Sequence, residues 1–214
     1  MTESRHVTLF HSPQTRSSGT LLLLEELQAD YALHVVNMKA GEHRQSAYLA
    51  INPMGKVPAV QHGDALITEQ GAIFTYLADL YADAGLAPAV GDPLRGPYLR
   101  WMFFYGSSFE PAVVDRAQKI VPPQAMCPYG DFDTMLRTLT DQLERGPYLL
   151  GERFTAADVL WGGALGWTTM FGLVPKVPVI EAYIARHNAR PAVARVQASD
   201  ARLAEQHAAA AAQH

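Results

Sequence analysis

The chain has 214 residues and a single cysteine, Cys127. One cysteine closes no intrachain disulfide and is too few for a Cys-rich zinc site, so a reducing, cytoplasmic setting without a bound metal is expected. Hydrophobic residues make up 49% and charged residues 18%, with a net charge of −4, which is a globular composition without the basic footprint of a nucleic-acid binder. The longest aliphatic run, residues 21–24, is far short of the ~20 residues that span a bilayer. MTESRHVTLF has no charged-then-apolar signal layout, so a soluble chain without membrane or nucleic-acid partners is expected.

Residues 7–10 read as a short apolar strand, followed by a loop at His11-Ser12-Pro13-Gln14-Thr15. From Arg16 to Gln28 the text is helical, and its four consecutive leucines cover more than one face, which predicts burial on two sides. Residues 31–38 form the next strand candidate, with a short helix expected around 46–50. Residues 57–61 and 65–68 flank His62-Gly63-Asp64 and read as a hairpin. Residues 69–81 are helical. The order β-α-β-(α)-β-β-α predicts a parallel crossover followed by an antiparallel hairpin, in a small mixed sheet. Two Pro/Gly clusters between 84 and 97 read as a boundary. Beyond it the text is helical at 98–120, 131–145, 156–171 and 179–188, with Pro111 expected to bend the first of these. The alanine-rich end is expected to fray.

Chemistry concentrates first in Asn52-Pro53-Met54-Gly55-Lys56-Val57-Pro58. A proline at the head of a strand is tolerated where its missing N–H is not needed. A cis Val57–Pro58 bond would turn the Val57 N–H and C=O outward to pair with an extended ligand. An ordinary loop before an edge strand fits the residues equally well. Glu69-Gln70 then opens a helix, whose free N–H groups and dipole suit an anion.

These stretches resemble the glutathione-site motif of the cytosolic glutathione S-transferases. The resemblance implies a cis Val57–Pro58 bond, with the Val57 backbone pairing the cysteinyl unit of glutathione. Glu69 and Gln70 would hold the γ-glutamyl end, Gln70 standing where the family usually has Ser. Gly41-Glu42-His43-Arg44 resembles one branch, in which basic residues of this loop contact the glycine carboxylate. His43, Arg44 and Lys56 are candidates for that contact, and Lys39 is a weaker one.

The attacking species is the thiolate, whereas a free cysteine thiol has a pKa of about 8.5. Two devices could lower it: the N-terminus of the 16–28 helix, and a hydroxyl donating to sulfur. Thr15 falls nearest to where Ser-type members place that hydroxyl, with Ser17 second and Ser12 third. Thr15 or Ser17 could equally be the helix N-cap. No tyrosine follows the first strand, so the resemblance is to the bacterial, Ser/Thr type rather than the Tyr type. Arg16 stands where some bacterial members carry Cys, which excludes a glutathione mixed disulfide at that position.

In the helical half, Thr155 and Asp158 have capping-box spacing, with Phe154 as a staple. Residues 175–194 resemble the family's C-terminal region. Trp101, Tyr105 and Phe109 share a helix face that is more often core than pocket. Tyr105 and Ser108, each with a polar handle, are the candidates for an electrophile pocket. Cys127 reads as incidental.

The expected architecture is α/β plus all-α: a thioredoxin-like domain with a mixed four-stranded sheet at 1–83, a linker at 84–92 and a helical bundle at 93–214. The implied reaction is attack of glutathione thiolate on a small hydrophobic electrophile, with glutathione as co-substrate and no metal, by a homodimer. Glutathione-dependent peroxide or disulfide reduction on the same site is one alternative. A non-catalytic binding protein of the same fold is the other.

Overall fold

A computed structural model describes residues 5–211. The chain divides into two compact units, one of Met1–Ala84 with Arg190–His214, the other of Gly85–Ala189.

In the first unit, β1 (Val7–His11) leads into α1 (Ser17–Glu26) and β2 (Tyr31–Val35). A 3₁₀ turn (Glu42–Arg44) and the short helix α2 (Ser46–Leu49) follow, then β3 (Ala59–His62), β4 (Ala65–Ile67) and α3 (Gln70–Leu80). The sheet order is β2-β1-β3-β4. β1 pairs with β2 in parallel and with β3 antiparallel, and β3 pairs with β4 antiparallel. This is the expected mixed four-stranded sheet. The second strand stops at Val35, because Asn37 and Glu42 close the following turn: the Asn37 N–H donates to Glu42 Oε2 at 2.7 Å.

Leu21, Leu22, Leu23 and Leu24 are all buried. The reason is that α1 packs against β1, against α3 and against the long terminal helix α9 (Pro191–Ala211). That last neighbour differs from the expected division, in which 93–214 forms one helical domain. Ala192, Val193 and Val196 of α9 are buried. Arg190 grips the Glu26 carboxylate with both Nε and Nη2, and Arg195 Nε donates to Glu25 Oε2 at 2.8 Å. The apolar face and the cations of α9 therefore find their partners on α1. The helix runs through Ala211, and residues 212–214 of the alanine-rich end lie outside the described residues. The N-terminal stretch read for a signal likewise lies partly outside them, at residues 1–4.

The second unit holds α4 (Arg95–Phe104), α5 (Glu110–Gln118), α6 (Phe132–Leu143), α7 (Ala156–Met170) and α8 (Pro178–Asn188). Between α4 and α5 the backbone forms a π-helical turn, Tyr105–Phe109. Pro111 has no N–H for the ladder, and the irregularity it imposes is taken up one turn earlier. Trp161 of α7 is fully buried, with the rings of Trp101, Tyr105 and Phe109 at 5.8, 5.7 and 4.9 Å. Its Nε1 donates to the Trp101 carbonyl at 3.0 Å. The Thr155/Asp158 capping box is present, and Tyr148 packs edge-on against Phe154.

No helix among the described residues is long and apolar enough to cross a membrane. Among the same residues no cluster of three His, Cys, Asp or Glu side chains is placed to hold a metal.

Candidate active site

The turn at 52–58 is built by one asparagine. Asn52 Oδ1 accepts the Met54 N–H, its carbonyl accepts the Gly55 N–H, and its Nδ2 donates to the Lys56 carbonyl at 2.8 Å. The same Lys56 carbonyl accepts the Tyr48 hydroxyl at 2.6 Å. Two donors on one oxygen fix the plane of the Lys56–Val57 peptide. Burial pushes the Tyr48 phenol up to about 12, so it remains a donor. The Val57–Pro58 bond is cis. The Val57 side chain joins a small core with Phe10, Val36, Tyr48 and Ala59. Its backbone lies beyond the β1–β3 ladder, which begins at Ala59. Extended backbone at the end of a sheet can pair with an extended ligand.

The cationic turn packs onto this loop. Gly55 has φ +62°, and a Cβ there would lie 2.9 Å from the His43 carbonyl and 3.1 Å from Arg44 Nη1. Only glycine allows both the conformation and the approach. His43 and Arg44 are thereby brought against Gly55-Lys56, as a carboxylate-binding group would require. His43 Nδ1 is buried without a hydrogen-bond partner among the described residues. Lys56 and Lys39 are both exposed.

Glu69 precedes α3 at φ +66°, ψ +119°. A non-glycine residue held there costs of order 1–3 kcal/mol and points to a functional constraint. Glu69 is exposed at the head of the helix. Gln70 reaches sideways, its Nε2 donating to the Arg16 carbonyl at 3.0 Å. It also passes Gly19, where a Cβ would sit 3.2 Å from that nitrogen. The N-termini of α1 and α3 are thus tied together, and two positive helix ends face one region. Sequence reasoning gave Gln70 a ligand-binding role; here its amide is engaged in this tie.

The hydroxyl cluster lies at the head of α1. Ser17 is fully buried, Ser12 is 3% exposed and Thr15 is half-buried. Thr15 Oγ1 donates to the Ser12 carbonyl at 2.7 Å and lies 2.8 Å from Ser17 Oγ. It also accepts the Ser17 N–H at 3.2 Å. Ser17 Oγ accepts the Ser12 N–H at 3.0 Å and lies 2.9 Å from His11 Nδ1. Arg16, not Thr15 or Ser17, occupies the N-cap position. Sequence reasoning missed His11 and its partner Asp200, whose Oδ1 lies 3.1 Å from His11 Nε2. A histidine ending an apolar strand was a faint signal; a carboxylate 189 residues away gave none.

In the second unit Tyr105 and Ser108 lie in the π-helical turn, 3% and 9% exposed. The Tyr105 hydroxyl donates to Glu110 Oε1 at 2.7 Å, and its ring stacks on Phe109. The side chain is core packing, so its polar handle is occupied within the unit. Cys127 is partly exposed and follows a 3₁₀ turn.

Residues 5–79 match the model of the glutathione S-transferase N-terminal domain, and 129–186 match the C-terminal domain. A glutathione S-transferase of Hyoscyamus muticus is 30% identical over 183 residues, covering 79% of this chain and 86% of that protein. Glutathione S-transferase APIC of Nicotiana tabacum is 42% identical over 151 residues, covering 64% and 69%. A sphingomonad glutathione S-transferase solved in complex with glutathione superimposes with a TM-score of 0.74 at 29% identity, covering 91% of this chain and 98% of that one. With its mixed sheet, its cis Val57–Pro58 turn and these matches at both ends, the chain belongs to the glutathione S-transferase family.

Proposed function

We propose that the protein is a glutathione transferase, joining the thiolate of glutathione to a small hydrophobic electrophile. The observation that carries this reading is the turn at 52–58. Tyr48 and Asn52 pin the Lys56 carbonyl, the Val57 backbone lies beyond the ladder, and the His43–Arg44 turn is packed on Gly55. A tripeptide laid along Val57 would meet His43, Arg44 and Lys56 with its glycine carboxylate. Its γ-glutamyl end would meet Glu69 and the N-terminus of α3. Thr15, the more accessible of the two hydroxyls beside α1, would turn its hydrogen from the Ser12 carbonyl to the sulfur, and the α1 N-terminus favours the negative charge. The family further supports a homodimer and a cytoplasmic location.

The test is retention on immobilised glutathione followed by conjugation of chlorodinitrobenzene. Retention with conjugation is expected. Retention with peroxide or disulfide reduction but no conjugation would move the chemistry while keeping the site. Absence of retention, together with no thermal shift at millimolar glutathione, would overturn the reading.

A further inference from the structure

We propose that His11 receives the proton of the glutathione thiol, relayed inward through Thr15 and Ser17, with Asp200 balancing the charge that the imidazole gains. The proposal rests on the glutathione reading above, because it takes the sulfur to lie at Thr15.

The geometry is an unbroken chain that runs inward from half-buried Thr15. Thr15 Oγ1 lies 2.8 Å from Ser17 Oγ, Ser17 Oγ 2.9 Å from His11 Nδ1, and His11 Nε2 3.1 Å from Asp200 Oδ1. His11 and Ser17 are fully buried, and Asp200 is 6% exposed. Hydrogen-bond chemistry sets the direction. An ionised carboxylate only accepts, so Asp200 requires the proton of neutral His11 on Nε2. Nδ1 is then an acceptor, and the Ser17 hydroxyl, whose oxygen also lies 3.0 Å from the Ser12 carbonyl, donates its one hydrogen to the nearer Nδ1. Ser17 Oγ in turn can accept the one Thr15 hydrogen, which rests on the Ser12 carbonyl at 2.7 Å and must turn from it to Ser17 for the relay to run.

Asp200 is well placed to stay ionised. Its Oδ2 accepts the Gln14 N–H at 2.9 Å and the Ser18 hydroxyl at 2.5 Å. Burial alone would raise its pKa, but hydrogen bonds from His11, Ser18 and the Gln14 backbone outweigh this and hold it below the usual carboxylate range. Gln14 sits at φ +60°, so the same carboxylate also holds a strained residue of the loop. Other ionisable groups on the elements packed around β1 are engaged elsewhere or set apart. Glu25 and Glu26 of α1 bind Arg195 and Arg190 of α9, His34 of β2 packs on Phe10, and Arg16 stands exposed at the head of α1.

The step is a proton transfer without change of oxidation state. The S–H bond breaks as the proton passes to Thr15 Oγ1. The hydrogen of Thr15 passes to Ser17 Oγ, and that of Ser17 to His11 Nδ1. The products are a thiolate and an imidazolium paired with the Asp200 carboxylate. Thr15 now carries the former thiol proton and donates it to the sulfur. One relay thus removes the proton and supplies the stabilising hydrogen bond. When the conjugate departs, the proton returns to solvent through Thr15. The division of labour is that of a Ser-His-Asp triad, with the reacting nucleophile supplied by the bound thiol.

The experiment follows bound thiolate by its ultraviolet absorbance against pH, with S-methylglutathione, which has no thiol proton, as the binding control. His11→Gln is expected to lower kcat for conjugation by about 100-fold. Thiolate should be lost at neutral pH and regained only at higher pH, while S-methylglutathione affinity changes less than about twofold. Asp200→Asn and Ser17→Ala should act in the same direction. On the unaltered protein, ¹⁵N resonances of His11 should show Nδ1 gaining a proton with glutathione but not with S-methylglutathione, a measurement that stands even where a variant does not fold. An unchanged His11 Nδ1, or folded variants with the parent thiolate curve, would overturn the relay. Failure of the parent protein to bind S-methylglutathione would remove the glutathione reading and the relay with it.

Discussion

Thr15 and Ser17 differ in exposure more than in chemistry. Both carry one hydroxyl hydrogen, yet Ser17 is sealed among Ser12, Thr15 and His11 whereas Thr15 is half-buried at the loop surface. Thr15→Ala should therefore cut kcat by roughly 10²-fold, the usual cost of one preorganised donor. Glutathione KM should stay within about twofold, and steady-state conjugation kinetics check both. A rise in KM matching the fall in kcat would mark Thr15 as structural. Asn52 predicts the opposite split. Asn52→Ala removes one of two donors on the Lys56 carbonyl and the acceptor for Met54 N–H. About 1–3 kcal/mol of stability should go, and KM should rise with kcat nearly unchanged, because the Val57 peptide loses its fixed plane. Asn52 stood in the sequence motif, but its task did not, because the contact that explains it closes across a loop to Tyr48 and Lys56.

Two elements of the second unit make sharp stability predictions. Asp158 accepts hydrogen bonds from Leu149 N–H, Thr155 N–H, Thr155 Oγ1 and the Tyr183 hydroxyl. Only the Thr155 contacts were legible from capping-box spacing. Asp158→Ala strands buried donors on three residues and should cost about 3 kcal/mol, measured by urea unfolding. Gly162 lies in α7, where alanine has the better helix propensity. A Cβ at Gly162 would nevertheless sit 2.1 Å from His187 Cδ2 of α8. Gly162→Ala should destabilise by about 1–3 kcal/mol through overpacking, a sign opposite to the propensity rule.

For the whole molecule, the terminal helix closes the first unit, so residues from both ends of the chain build it. Its buried carboxylate makes that closure pH-dependent. Burial raises the Asp200 pKa, but its three hydrogen bonds more than offset this and the net shift is downward. A carboxyl with a lowered folded value contributes stability above its unfolded pKa, about 3.9, and loses it as pH falls through the folded value. Melting temperature should therefore drop below about pH 4. Asp200→Asn should be less stable at neutral pH and show a flatter acid limb. Equal acid limbs in parent and variant would place the sensitivity in other carboxylates.

The sequence by itself determined the local and periodic features. Strand and helix order as far as residue 188 followed from hydrophobic period, whereas the Pro191–Ala211 helix was not read. The Asn52–Pro58 motif, the Glu69-Gln70 helix head and the Thr155–Asp158 cap were contiguous, so their chemistry could be read from neighbours in the chain. Tertiary structure alone decided which unit the last helix joins, that Gln70 ties α3 to α1, that Tyr105 packs on Trp161, and that His11 meets Asp200. The physical reason is common to all four. Burial and hydrogen-bond satisfaction are set by groups brought together over tens to nearly two hundred residues, and such pairings leave no periodic trace in the text of either partner.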